Sequence, residues 1–412
     1  MSRRARSATR SFNGGLLLLL PIAIAGFIAL GTPAGSTVVA PSPSPTPSEP
    51  AISINHIPAD RFTPDDTTIE SCGPTDDPCF EQAFANLAYA EGGKAAIAYW
   101  KTLAPQIRNV EANCHQITHL IGAGSLAKAK GDIGVAFADG DESCWSGYYH
   151  GIMQAAIGNI ESDEPAVIAP KVAAMCASAS IREVEWIAWQ CVHGIGHGLL
   201  ISTNYDLPKT METCLLLPTG DAQVCANGAF MENVTPSLPG SSPWLNDQAD
   251  YPCTIVPESL RGDCYGYSGH RSLMITGGDY RAAGGLCATF DPRFREVCFS
   301  SIGHMAAAAA VNAVPGIAER CAAVALGGGD VTGSCWVGAA IDVYAATVEP
   351  ARAADVCVVA TSGVSECYRA VGGMLRSTAR PGEDPVAACD RYTPTGSARA
   401  ACREGAGGAP LP

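Results

Sequence analysis

The stretch CVHGIGHGLL, residues 191–200, returns down the chain in altered form, and that recurrence decides the fold. Its counterparts are CWSGYYHGIM from Cys144, CANGAFMENV from Cys225, CYGYSGHRSLM from Cys264, CFSSIGHMAA from Cys298, CWVGAAIDVY from Cys335 and CYRAVGGMLR from Cys367. Most carry a small residue three or five places after the cysteine and then an apolar helical tail. Alanine-rich helical stretches end at an earlier cysteine, as in Lys171–Cys176, Ile317–Cys321 and Ala351–Cys357, with a polar turn between. After Cys191 the second cysteines recur every 32 to 39 residues, a period that marks stacked supersecondary units. Glycine within a helix costs about 1 kcal/mol against alanine, so its recurrence predicts close backbone packing between neighbouring helices.

The expected fold is therefore all-α. It consists of disulfide-stapled αα-hairpin repeats, stacked as an open solenoid or closed into an α/α toroid with the second helices as the inner ring. Read in order, the eighteen cysteines fall into nine sequence-adjacent pairs. These are Cys72 with Cys79, Cys114 with Cys144, Cys176 with Cys191, Cys214 with Cys225 and Cys253 with Cys264. Cys287 with Cys298, Cys321 with Cys335, Cys357 with Cys367 and Cys389 with Cys402 complete the set. Closing a loop of about 15 residues can contribute about 3 kcal/mol through the unfolded chain. That matters here because aromatic residues are only 7% of the chain, so each hairpin has little apolar bulk to bury. The plan resembles, in architecture alone, the disulfide-bridged helical-hairpin arrays of some bacterial cysteine-rich secreted proteins.

The amino terminus explains where such bonds would form. Arg3, Arg4, Arg6 and Arg10 precede an apolar run from Leu16 to Leu30, the pattern of an export signal or membrane anchor. Residues 1–40 are assigned to that segment and 41–70 to a linker that opens with PSPSPTPSEP, a polyproline-type spacer. The hairpin domain is expected over 71–403 and a disordered tail over 404–412. An even number of cysteines beyond an export signal points to disulfides in an oxidising, extracytoplasmic compartment, either membrane-anchored or secreted. No CxxC or CxxCH occurs, which argues against zinc ribbons, thioredoxin-type pairs and covalent haem. The net charge of -14, without a basic patch, disfavours nucleic acid. The partners left are the membrane, through the uncleaved first segment, and a protein or peptide on a concave face.

Of the eight histidines, seven lie in segments opened by a cysteine: His115, His119, His150, His193, His197, His270 and His304. His150, His197, His270 and His304 each stand six residues after a second cysteine, as though one slot of the repeat were histidine. His115 with His119, and His193 with His197, are four apart, which places both rings of each pair on one helix face. Axes of packed helices lie about 8–10 Å apart, so rings on neighbouring units could share an ion. These seven histidines, with Glu232 beside the equivalent slot, are the expected ligands of a transition metal: zinc, iron or copper. Met153, Met231, Met274 and Met305 nearby lean toward copper. Were the site catalytic, Glu232 would be the proton shuttle beside a metal-bound water. The competing reading is a non-enzymatic scaffold whose histidines are structural.

Overall fold

The computed structural model describes residues 56–162, 164–236, 242–330 and 332–407, which are helical with no strand. Residues 1–40, expected to form the signal or anchor, and most of the spacer lie outside that set. Among the described residues no helix is long and apolar enough to cross a membrane.

Ten helices form the packing core. The first five are α1 (Asp77–Glu91), α2 (Cys114–Lys128), α3 (Gly147–Ile157), α4 (Glu185–Ser202) and α5 (Asp221–Val234). They pack in that order, each on the next. The second five are α6 (Ser268–Ile275), α7 (Arg295–Ala309), α8 (Ser334–Thr347), α9 (Val364–Thr378) and α10 (Ser397–Gly407), again packed in order. Outer helices flank them, and several open on a proline in the first turn, as at Pro165, Pro208, Pro315, Pro350 and Pro385. Proline suits that place because its missing N–H would have no partner within the helix.

All eighteen cysteines are oxidised in the nine sequence-adjacent pairs. In the unit from Cys176 the bond joins the end of an outer helix to α4, and the Cys214, Cys287 and Cys357 units are alike. The outer helices of the Cys321 and Cys389 units run on past the cysteine to Gly328 and Tyr392, contrary to the expected stop at Cys321. The remaining bonds depart from the hairpin plan. Cys253 lies in a non-helical stretch, Cys72 follows a short 3-10 turn, and Cys114–Cys144 links the start of α2 to the turn before α3. With every cysteine oxidised, the protein belongs to an oxidising, extracellular-type environment.

Two expected boundaries move. Residues 56–70 are docked on the body: the buried Glu81 carboxylate accepts from the Ile57 N–H at 2.8 Å and pairs with His56 Nδ1 at 2.6 Å. At the other end α10 continues to Gly407, so 404–407 are helical and only 408–412 lie outside the described residues.

The glycines explain how ladder helices approach. A Cβ on Gly196 would stand 1.9 Å from the Cys225 carbonyl oxygen, and one on Gly228 would stand 1.9 Å from that of His193. Gly303 meets Cys335 and Gly338 meets Ser300 in the same reciprocal way, as do Gly372 with Cys402 and Gly405 with Arg369. In each pair the glycine five places after one cysteine rests on the neighbouring cysteine's own carbonyl. The glycine three places after that neighbour returns the contact. Backbones this close gain Cα–H···O contacts, and any side chain would force them apart. The spacing of three or five visible in the sequence is thus the two halves of one clasp.

Units far apart in sequence also touch. The Cys144 and Trp145 N–H groups donate to the carbonyls of Ala346 and Ala345 in α8, at 3.1 and 3.0 Å. Arg376 in α9 pairs with Glu185 in α4 at 2.8 Å.

The clasp is testable away from any histidine. Gly338→Ala puts a Cβ 1.9 Å from the Ser300 carbonyl and should destabilise by about 1–3 kcal/mol, the usual range for overpacking. Gly262→Ala, where nothing lies within 4 Å, should be neutral in the same thermal-unfolding measurement. Equal effects would show that the close approach does not limit substitution.

Candidate metal centre

Three ladder helices bring five of the histidines together. α2 carries His115 and His119, α3 carries His150, and α4 carries His193 and His197. Glycines beside the rings set the distances. A Cβ on Gly151, next to His150, would lie 1.9 Å from the His119 carbonyl, and one on Gly194, next to His193, would lie 3.4 Å from the His150 Cα. The helices therefore approach most closely at the turns that bear the imidazoles.

Two triads result, His115–His119–His150 and His150–His193–His197, in each of which one ligand atom per ring lies within 4.8 Å of the others. The Nε2 atoms of His115 and His119 are 3.1 Å apart, and so are those of His193 and His197. His119, His150, His193 and His197 are buried, and His115 is half-buried. Trp189 stacks on His193 with ring centroids 4.4 Å apart, Trp186 stacks on Trp189, and Trp145 stands edge-on to His115.

The surrounding groups decide which nitrogen of three rings is bare. His115 Nδ1–H donates to the Cys144 carbonyl at 2.9 Å, leaving a lone pair on Nε2. His197 Nδ1–H donates to Glu232 Oε2 at 3.0 Å, again leaving Nε2 bare. His150 Nε2–H donates to Gln190 Oε1 at 2.6 Å, so its lone pair is on Nδ1. This is the outer support that metal-ligating histidines ordinarily have, a carbonyl or carboxylate on the other ring nitrogen. The Nδ1 atom of His150 is buried without a protein partner. A buried polar atom left unpaired costs about 1–3 kcal/mol, which an ion bound at that nitrogen would offset directly.

The charge state also suits a cation. Burial, the largest cause, lowers the His115 pKa from 6.5 to about 4 and pushes His119, His150 and His193 well below the ordinary value. Mutual repulsion among the rings adds to the depression. These four imidazoles are neutral at pH 7, the form that binds metal.

The other expected ligands are placed elsewhere. Glu232 turns its carboxylate to the back of His197, and its second oxygen accepts from the Tyr205 hydroxyl at 2.5 Å. It orients a ring rather than standing beside a metal-bound water. Half-buried His270 and His304 belong to neither triad. His304 Nδ1 faces Asp342 Oδ1 at 3.4 Å. Of the methionines, Met153 packs at 3.7 Å against Cys191 Sγ, and Met274 is exposed.

The slot six residues after the cysteine is not one structural position, because the packing glycine sets the helical face. His197, His270 and His304 each follow such a glycine, whereas His150 precedes one. Counted that way, His119 and His193 are equivalents, each three residues before Gly122 or Gly196. Gln190, Tyr205, Trp189 and the Cys144 carbonyl were absent from the sequence-based set. Trp186, Trp189, Gln190, His193 and His197 form one helical stripe, a signal that could have found two of them, Trp189 and Gln190.

Comparison with known proteins finds no matching family model, curated relative or solved structure, so the site is read from its geometry.

For the metal-free protein the pKa depressions fix a sign. The unfolded chain takes up protons as pH falls through 6.5, and the folded cluster resists until about 4 at His115. Stability is fully present above about pH 6.5 and declines from there toward pH 4. Thermal midpoints of chelator-treated protein should fall over this window, less steeply after His119→Phe. A flat profile would show that the rings are not held buried and neutral.

Proposed function

We propose that this is an exported metal-binding protein whose five-histidine cluster, His115, His119, His150, His193 and His197, holds a first-row transition ion. One observation carries the reading: five mostly buried imidazoles converge in two triads, with acceptors behind three of them that leave the inward nitrogen bare. Structural histidines in a scaffold would use both ring nitrogens for hydrogen bonds, and here the buried Nδ1 of His150, the ring common to both triads, has none. An all-imidazole donor set suits zinc, copper or iron rather than calcium or magnesium, which take oxygen ligands.

The arginine-flanked apolar run at residues 16–30 supports delivery across a membrane, with the ladder held outside on the Pro/Ser spacer or released by cleavage. The contacts of residues 144–145 with α8, and of Glu185 with Arg376, support an array that returns on itself rather than an open solenoid. Glu232 serves as a positioning residue, held by the Tyr205 hydroxyl against the outward nitrogen of His197.

Elemental analysis of protein exported and purified without chelator should find the ion in stoichiometric amount. Replacing His119, His150 and His197 together with alanine leaves only isolated rings and should remove it, whereas His270→Ala with His304→Ala should not. A ligand present at 100 times its Kd adds about 2.7 kcal/mol to stability, so chelation should lower the wild-type thermal midpoint and leave the triple variant unmoved. Metal retained by the triple variant would place the site elsewhere.

A further inference from the structure

We infer that the cluster seats one ion at a time in two alternative places, an outer seat of His115, His119 and His150 and an inner seat of His150, His193 and His197. This inference rests on the metal-binding reading above. The ion enters at the outer seat and passes to the inner one, with the His150 imidazole as the common pivot.

The argument begins with His150. Its ring belongs to both triads, yet Gln190 Oε1 at 2.6 Å holds the Nε2 proton, so a neutral His150 has a single lone pair, on Nδ1. One lone pair serves one ion. The five rings do not converge on a single point either: the groups whose ligand atoms all come within 4.8 Å of one another are triads, not the full set of five. An ion held by all five is thus excluded by distance, and two ions sharing His150 are excluded while Gln190 keeps its proton in place. What the geometry allows is exchange, in which His150 stays bound while one helix's pair of imidazoles replaces the other.

The direction follows from burial and from what stands behind each ring. His115 is half-buried, whereas His193 and His197 are each 2% exposed, so the outer seat is the one solvent reaches. His115 is backed by a neutral carbonyl, that of Cys144. His197 is backed by the Glu232 carboxylate, itself held by the Tyr205 hydroxyl. A carboxylate behind an imidazole raises its basicity more than a carbonyl does, so the inner seat binds more tightly. The Nε2 atoms of His119 and His193, each 3.1 Å from a bare nitrogen, must carry the hydrogen in the metal-free state. When either seat fills, that hydrogen moves to the ring's own Nδ1, and no net proton is released.

The full exported chain, stripped with chelator and titrated with Zn²⁺ alone, tests this. Wild type should bind one Zn²⁺ per chain. With His115→Gln and His119→Gln the chain should still bind one, within about threefold of wild-type affinity, but take it up at least tenfold more slowly. With His193→Gln and His197→Gln it should bind one at least tenfold more weakly and as fast as wild type. Gln190→Leu keeps every imidazole and removes only the acceptor behind His150. It should weaken binding about 10–100-fold in the wild type and in both pair variants, the range for loss of such support. Two ions on the wild type would overturn the single-ion inference and leave the metal reading standing. An empty pair variant that retains its far-UV CD spectrum would overturn the second seat. No ion on the wild type would remove both readings.

Discussion

Everything specific about this molecule depends on a backbone contact, the glycine of one ladder helix resting on a carbonyl oxygen of the next. Side-chain bulk cannot carry the packing in a chain so poor in aromatics and rich in alanine and glycine. The alternative is proximity. Helices that meet through glycine bring their backbones into direct contact, and dispersion and weak C–H···O contacts accumulate along the line. The disulfides act on the same place, since in the α4–α5, α7–α8 and α9–α10 pairs a clasped carbonyl belongs to the cysteine that is pinned to its outer helix. A covalent staple and a steric clasp thus locate one turn twice.

Proximity also makes the histidine cluster. Here the His119 carbonyl rests against Gly151 and the His150 backbone against Gly194, so short rings reach one another without leaving their helices. The cost is electrostatic, because packing these rings out of water forces them into the neutral form. The fold sustains that cost by giving three rings an acceptor on the outward nitrogen. One of those acceptors comes from an unusual turn. Cys144, Trp145 and Ser146 all have positive φ, near 54°, 54° and 58°, a conformation that costs a non-glycine residue of order 1–3 kcal/mol. The turn aims the Cys144 carbonyl at His115.

Much of this was legible in the sequence, for reasons that the structure makes plain. The cysteine pairing could be read because repeats are local: the partner of Cys191 can only be the cysteine at the other end of its own turn. The all-helical class followed from the alanine-rich stretches around CVHGIGHGLL. Four of the five central histidines, His115, His119, His193 and His197, stood out because doubled HxxxH spacing shows on a helix, whereas His150 was marked only by its place six residues after Cys144. What stayed hidden depends on phase. Counting from cysteine merges His150 with His197, although α3 begins after the 144–146 turn and its closest packing glycine, Gly151, is seven residues on from Cys144. That shift rotates His150 onto the face it shares with both neighbours. Glu232 could be flagged but not assigned a direction, since only the clasp at Gly228 shows that its carboxylate faces the back of His197.

The second ladder, which holds no histidine cluster, acquires a purpose from the same phase argument. His304 follows Gly303 as His197 follows Gly196, and Asp342 stands four residues after Gly338 as Glu232 stands four after Gly228. The His304–Asp342 pair is therefore the structural counterpart of the His197–Glu232 pair. Its carboxylate has a different task. Asp342 Oδ1 accepts from the Trp145 indole N–H at 2.8 Å, across 197 residues of sequence, while Ala345 and Ala346 take the Cys144 and Trp145 backbone N–H groups. Three hydrogen bonds from α8 thereby hold the left-handed turn in place, and Trp186 adds a fourth through Ser146 Oγ at 3.0 Å. Left alone, that turn would relax toward negative φ and withdraw the carbonyl from His115. The repeat has kept one His–carboxylate pair beside the five rings and put the other to work on the backbone that orients them. Contacts from α8, far along the chain, are therefore part of what orients His115.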